Sequence, residues 1–126
     1  MAFDPDMLEA YTSGLAPAIQ AAGYKPLRID NKEHISGITD EILAEIRRSR
    51  FLVADYTLGK HGVYYEAGFA LGLGIPVFPT CRADNFDQLH FDVRHINTLK
   101  WETPDELREA LAKRISAVLG DGPVRG

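Results

Sequence analysis

The chain has 126 residues, 45% of them hydrophobic and 25% charged, with a net charge of -4. That length predicts a single domain over 1–126, and the acidic balance excludes a general nucleic-acid binder, which needs a basic surplus to displace counterions. No stretch approaches the ~18 consecutive apolar residues of a membrane helix, no basic-then-apolar leader opens the chain, and the lone cysteine, Cys81, has no internal disulfide partner; together these predict a cytoplasmic protein with no membrane contact.

Asp4 is placed to cap a helix with Pro5 at its first position, where the missing N–H costs nothing. Met7, Leu8, Tyr11, Leu15 and Ile19 recur at helical spacing. Pro17 predicts a kink or division near Gly14, and Gly23 a C-terminal stop. Residues 25–30 read as a short strand, with Pro26 tolerable at its start. A polar loop over 31–37 follows. A second helix is predicted over 38–48, with Ile38, Ile42, Leu43 and Ile46 as its buried stripe and Asp40 and Glu41 at its positive end. The nearly unbroken apolar run 51–55 predicts a parallel strand covered on both faces.

A third helix is predicted over 63–73, smoothed by Ala67, Gly68, Ala70 and Gly72 and ended by Gly74. Glu66 falls in its first turn. Residues 75–80 read as the next strand, 82–96 as a long polar and aromatic connection, and 98–101 as a last strand. Thr103-Pro104-Asp105-Glu106 is a capping box with proline at the first helical position. Leu107, Leu111, Ile115, Val118 and Leu119 place the final helix on a core, and 120–126 read as a flexible tail. Strands alternating with helices predict a three-layer α/β fold around a parallel sheet. Ligands in such sheets bind beyond the carboxyl ends of the strands, where Asp55, the loop 56–62, the start of the third helix and Cys81 are expected.

The run Ser49-Arg50-Phe51-Leu52-Val53-Ala54-Asp55-Tyr56-Thr57, followed by Gly62-Val63-Tyr64-Tyr65-Glu66-Ala67-Gly68-Phe69-Ala70-Leu71-Gly72-Leu73-Gly74-Ile75-Pro76-Val77, resembles the nucleoside 2-deoxyribosyltransferase superfamily. That superfamily includes deoxynucleoside monophosphate N-glycosidases and has TIR-like relatives. The resemblance implies a flavodoxin- or Rossmann-like sheet and an enzyme that cleaves or transfers an N-glycosidic bond. It implies Glu66 as the nucleophile, with no metal and no organic cofactor. It further implies Phe3, Asp55, Thr57, Lys60, His61, Gly62 and Tyr65 as substrate contacts. The family's second catalytic aspartate falls nearest to Asp40. The implied partners are a small-molecule nucleoside or nucleotide and a second copy of the chain, as a homodimer or higher homo-oligomer.

The chemistry suits these residue types. Breaking an N-glycosidic bond puts positive charge on the sugar carbon, and a carboxylate beside it stabilises that charge or traps it as a glycosyl ester. Relatives carry an apolar strand ahead of their Phe-Asp-Pro turn. Here the chain opens Met1-Ala2-Phe3-Asp4-Pro5, so a sheet lacking the usual first strand is expected. Three arrangements fit: a shortened start, direct pairing of 25–30 with 51–55, or another chain in the gap. Relatives have aspartate or serine where Lys60 stands, and lysine suits a nucleotide phosphate better than a bare nucleoside.

Each site residue also has a plain structural reading. Glu66 fits a solvated helix residue stabilised by the helix dipole, and Asp55 fits a turn cap after its strand. Of Tyr64 and Tyr65, one is expected to pack and the other to face the pocket. Cys81 with His61, His90 or His95 has no local signature of a thiolate nucleophile and reads as a small buried apolar residue. His90-x-Asp92-x-x-His95 matches no standard metal spacing. Two functions compete with N-glycoside chemistry on a nucleoside or nucleotide: a TIR-like NAD glycohydrolase, and a non-catalytic nucleotide-sensing or assembly module.

Overall fold

A computed structural model describes residues 5–26, 40–57, 61–88, 97–120 and 122, with the side chains of 5, 6, 61 and 62 left outside that description. The first helical run comprises α1 (Pro5–Ala10), a π-helical turn (Tyr11–Leu15) and α2 (Ala16–Ala21). Pro17 cannot donate a backbone hydrogen bond, and the chain widens to the π turn just before it, around Gly14. Gly23 closes the run at φ 96°. Its N–H donates to Gln20 O and that of Tyr24 to Ile19 O, each at 3.0 Å, the paired bonds of a Schellman motif. Lys25 and Pro26 are not in a strand, and 27–30, the rest of the expected strand, lie outside the described residues.

Helix α3 (Asp40–Arg48) buries Ile42 and Ile46. Strand β1 (Leu52–Asp55) follows, then α4 (His61–Gly72), β2 (Val77–Arg82), a 3-10 segment (Ala83–Gln88), β3 (Leu99–Trp101) and α5 (Pro104–Leu119). The sheet is parallel with order β1-β2-β3. One layer beneath it is α1, α2 and α5, packed on Phe78, Leu99 and Trp101. The other is α3 and α4, packed on Leu52, Ala54, Val77 and Cys81. This is the three-layer, Rossmann-like α/β fold expected. Among the described residues, β1 has a strand neighbour on one side only. No described helix is long and apolar enough to cross a membrane.

Several boundaries differ from expectation, most of them by one or two residues. Helix α4 starts at His61, so Glu66 lies in its second turn rather than its first. Gly62 falls in that first turn, at the helix end, where the backbone entropy that glycine costs in a helix interior matters less. Strand β2 starts at Val77 because Ile75 is spent on closing α4, its N–H donating to Ala70 O at 2.9 Å. Pro76 beside it has no N–H to give a ladder. The same shift puts Cys81 inside β2 instead of beyond its end. Within the expected loose tail, Gly122 is buried and its N–H donates to Ala22 O at 2.8 Å.

The remaining helix ends follow local chemistry. Thr103 Oγ1 accepts the N–H of Glu106 at 3.2 Å, one half of the capping box, and Gly120 ends α5 at φ 76°. Gly14 lets the π turn approach α5: a Cβ there would sit 2.9 Å from Leu107 Cδ2 and 3.1 Å from the Pro104 carbonyl oxygen.

Candidate functional site

Asp55 ends β1 with no exposure. Its Oδ1 accepts the Thr57 N–H at 2.9 Å. Its Oδ2 accepts Thr80 Oγ1 at 2.5 Å and Trp101 Nε1 at 3.0 Å. One carboxylate therefore links β1, β2 and β3 at their carboxyl ends. Thr57 Oγ1 extends the network by accepting the Arg82 N–H at 2.9 Å. Hydrogen bonds to a carboxylate, such as the three at Asp55, are roughly twice as strong as neutral ones like that of Thr57 Oγ1. Both Asp55 and Thr57 face into the protein here, and their hydrogen bonds hold the sheet. Burial, and next the Asp55 charge, push the Cys81 thiol up to about 12. Burial, with Tyr64 adding to it, pushes the Tyr56 hydroxyl up to about 12.

A cleft of about 340 Å³ runs along the outer side of β1. Leu52, Val53 and Ala54 all line it. Consecutive strand residues point to opposite faces, so a cavity touching all three borders the edge of β1 away from β2 rather than one face. Tyr11, Leu15 and Ile19 form the wall from the first helical run, and Tyr24, Lys25 and Pro26 continue it. Glu45, Arg48, Ser49 and Arg50 close the end nearest the amino end of β1. Tyr24 and Phe51 meet edge to face with ring centroids 5.1 Å apart, which fixes two aromatic groups of the lining.

From α4, Val63 and Glu66 reach this cleft. Glu66 is 4% exposed, and its Oε2 is buried. A helix of twelve residues that is apolar on nearly every side places its one carboxylate inward, against the sheet edge. The wall also carries Lys25, Arg48 and Arg50, of which Arg48 pairs with Glu45. A carboxylate, aromatic walls and a cationic end in one cleft can serve three purposes. They can stabilise a cationic carbon, stack on a planar ring and attract an anionic group.

The sequence-predicted residues distribute as follows. Glu66 lies on the cleft. Asp40 is exposed at the start of α3, and the second carboxylate among the described lining residues is Glu45, one and a half turns further along the same helix. Tyr65 is 57% exposed on the outer side of α4, while Tyr64 stacks on Tyr56 at 4.6 Å. Phe3 and Lys60 lie outside the described residues, as do the side chain of His61 and the segment holding His90, Asp92 and His95, and Gly62 is described only as backbone within α4. Among the described residues, no group of three or more His, Cys, Asp or Glu is placed to hold a metal ion.

Sequence reasoning did not single out Tyr24, Lys25, Glu45, Arg48 or Arg50 for this site. The signal was the basic run Arg47-Arg48-Ser49-Arg50 just ahead of an apolar strand. That run stands at the amino end of β1, away from the carboxyl ends where ligands of such sheets bind. Comparison with protein-family models, with curated proteins and with solved structures finds no match for this chain.

Proposed function

We propose that this chain cleaves or transfers the N-glycosidic bond of a nucleoside or nucleotide, with the Glu66 carboxylate acting at the anomeric carbon. The observation that carries the proposal is the placement of Glu66, buried within α4 yet lining the cleft. The resemblance of 49–77 to the nucleoside 2-deoxyribosyltransferase superfamily supports it. In this reading the carbon–nitrogen bond breaks with its electron pair leaving on the base. Glu66 either shields the resulting cation or bonds to it as a glycosyl ester. Water or an acceptor base then takes the sugar, which decides between hydrolysis and transfer. Tyr11, Tyr24 and Phe51 supply apolar and aromatic surface for a base, and the cations at the Arg48–Arg50 end favour a phosphorylated substrate.

A second reading is a non-catalytic nucleotide-binding module, in which the aromatic and cationic lining of the cleft holds a nucleotide without turnover. Asp55 and Thr57, both implied as ligand contacts by the resemblance, are engaged in hydrogen bonds within the fold. The test is incubation of the protein with a panel of deoxynucleosides, their 5′-monophosphates and NAD, with free base detected by chromatography. Base release from a deoxynucleotide, lost in Glu66→Ala, supports the enzyme. Release of nicotinamide alone moves the reaction to NAD. Calorimetric binding of a nucleotide with no product selects the binding module.

A further inference from the structure

We propose that Lys25 and Arg50 stabilise the negative charge that the base acquires as its bond to the sugar breaks, so that the site favours bases presenting an oxygen at their far edge. This rests on the N-glycoside reading of Glu66, and it comes from the order of groups along the cleft. Val63 and Ala67, on either side of Glu66 in α4, share a cluster with Ala54, so the carboxylate meets the edge of β1 near Ala54. Tyr24 and Phe51 come next, edge to face. Lys25 and Arg50, the chain neighbours of that aromatic pair, line the far end and are exposed. Neither makes an ion pair with another described residue, whereas Arg48 beside them is tied to Glu45. The cleft therefore runs from a carboxylate, past a planar apolar wall, to two cations. At about 3.3 Å per residue, the stretch from Ala54 back to Arg50 spans at most about 13 Å. A contact at each end takes about 3 Å. A six-membered base reaches about 6 Å from the anomeric carbon to an exocyclic oxygen on its far side. The fit sets the sugar carbon at Glu66 and turns the far edge of the base to the cations, while a 5′-phosphate leaves the sugar on the other side.

The two ends then match the two charges of the breaking bond. The electron pair of the carbon–nitrogen bond passes to the base nitrogen and spreads onto the exocyclic oxygens of uracil, thymine or a 6-oxopurine. The carbon turns positive beside Glu66, and the base turns negative beside Lys25 and Arg50. Such cations act on charge that exists only as the bond opens, which is how fixed charges lower a barrier. In hydrolysis, water gives its hydroxyl to the sugar carbon and its proton to the base, and both cations are left unchanged. The described lining holds no histidine, and its second carboxylate, Glu45, is paired with Arg48, so the departing charge is met by cations. Thymine presents an oxygen at the far edge, and cytosine and adenine an amino donor. An amino group meets Lys25 and Arg50 donor to donor.

The test is release of thymine, uracil, 5-fluorouracil and cytosine from their deoxynucleosides and 5′-monophosphates by the parent, Lys25→Met, Arg50→Met and Arg47→Met. The first three bases share a shape and differ in acidity, 5-fluorouracil forming its anion most readily. In Lys25→Met and Arg50→Met, kcat for thymine is expected to fall by at least about tenfold and that for 5-fluorouracil by less than about threefold, with or without the phosphate. The parent's preference for uracil over cytosine should shrink in both. Arg47 is exposed on α3 and does not line the cleft, so Arg47→Met should match the parent. An equal loss for every base marks a merely structural role, and a loss confined to the monophosphates marks cations that hold phosphate; either overturns the proposal. Release that needs Glu66 yet is unchanged in Lys25→Met and Arg50→Met overturns the proposal alone. A parent that releases no base overturns it together with the reading beneath it.

Discussion

Removing the Asp55 carboxylate tests whether it holds the three strands together. Asp55→Ala deletes the acceptor for the Thr57 N–H, the Trp101 indole N–H and the Thr80 hydroxyl. The hydroxyl can rotate to another acceptor. The other two donors are fixed in direction and buried, and each stranded donor costs about 1–3 kcal/mol. The expected loss is therefore about 2–6 kcal/mol, a large share of the roughly 5–15 kcal/mol that stabilises a domain. Asp55→Asn keeps one acceptor oxygen and should lose about half as much. Trp101→Phe removes one donor to a charged acceptor and should cost about 1.5–3 kcal/mol. Urea titration followed by circular dichroism measures all three. Trp101, the sole tryptophan and 3% exposed, gives an independent fluorescence signal in the Asp55 variants. An Asp55→Ala protein within about 0.5 kcal/mol of the parent, the range of neutral surface changes, would refute the reasoning.

Gly14→Ala places a methyl group 2.9 Å from Leu107 Cδ2 and 3.1 Å from a backbone oxygen. Overpacking of about 1–3 kcal/mol should outweigh the helix-propensity gain of about 1 kcal/mol, so its thermal midpoint should fall. Thr103→Ala removes the cap on Glu106 N–H and should cost about 1 kcal/mol in the same melt. Cys81, with its thiol pushed up to about 12, should resist thiol reagents in the native protein near about pH 8 and react promptly in denaturant. The unfolded thiol ionises near about pH 8.5 and the folded one does not, so the unfolded state binds fewer protons and stability should fall as pH rises through that range toward 12. Cys81→Ala should flatten the first part of that slope. Tyr56, also raised to about 12, should add to it above about pH 10.

The elements that were legible in the sequence are those fixed by local chemistry. The Thr103 cap, the stops at Gly23 and Gly74 and the apolar run of β1 each depend on a few neighbouring residues, and each stands within a residue of where the sequence places it. The roles of Asp55 were not legible, because its partners Thr80 and Trp101 lie 25 and 46 residues away. A strand-end aspartate looks the same whether it faces a ligand or a neighbouring strand. The cleft was only half legible. Glu66 announced itself by standing alone among apolar neighbours. The wall opposite assembles from Tyr11, Tyr24 and the end of α3, which meet only after folding. Strand β2 shows a different limit, since its start at Val77 follows from a helix-closing turn that takes up Ile75.

The central chemistry rests on Glu66, and the isosteric Glu66→Gln change tests it with little disturbance of shape. Base release from deoxynucleoside 5′-monophosphates should be compared between the parent and this variant at equal concentration, with Trp101 fluorescence confirming that both are folded. The account predicts measurable release by the parent and a loss of at least about 100-fold in the variant, the scale expected when a group that stabilises the transition state is removed. Equal release by the two proteins would contradict it.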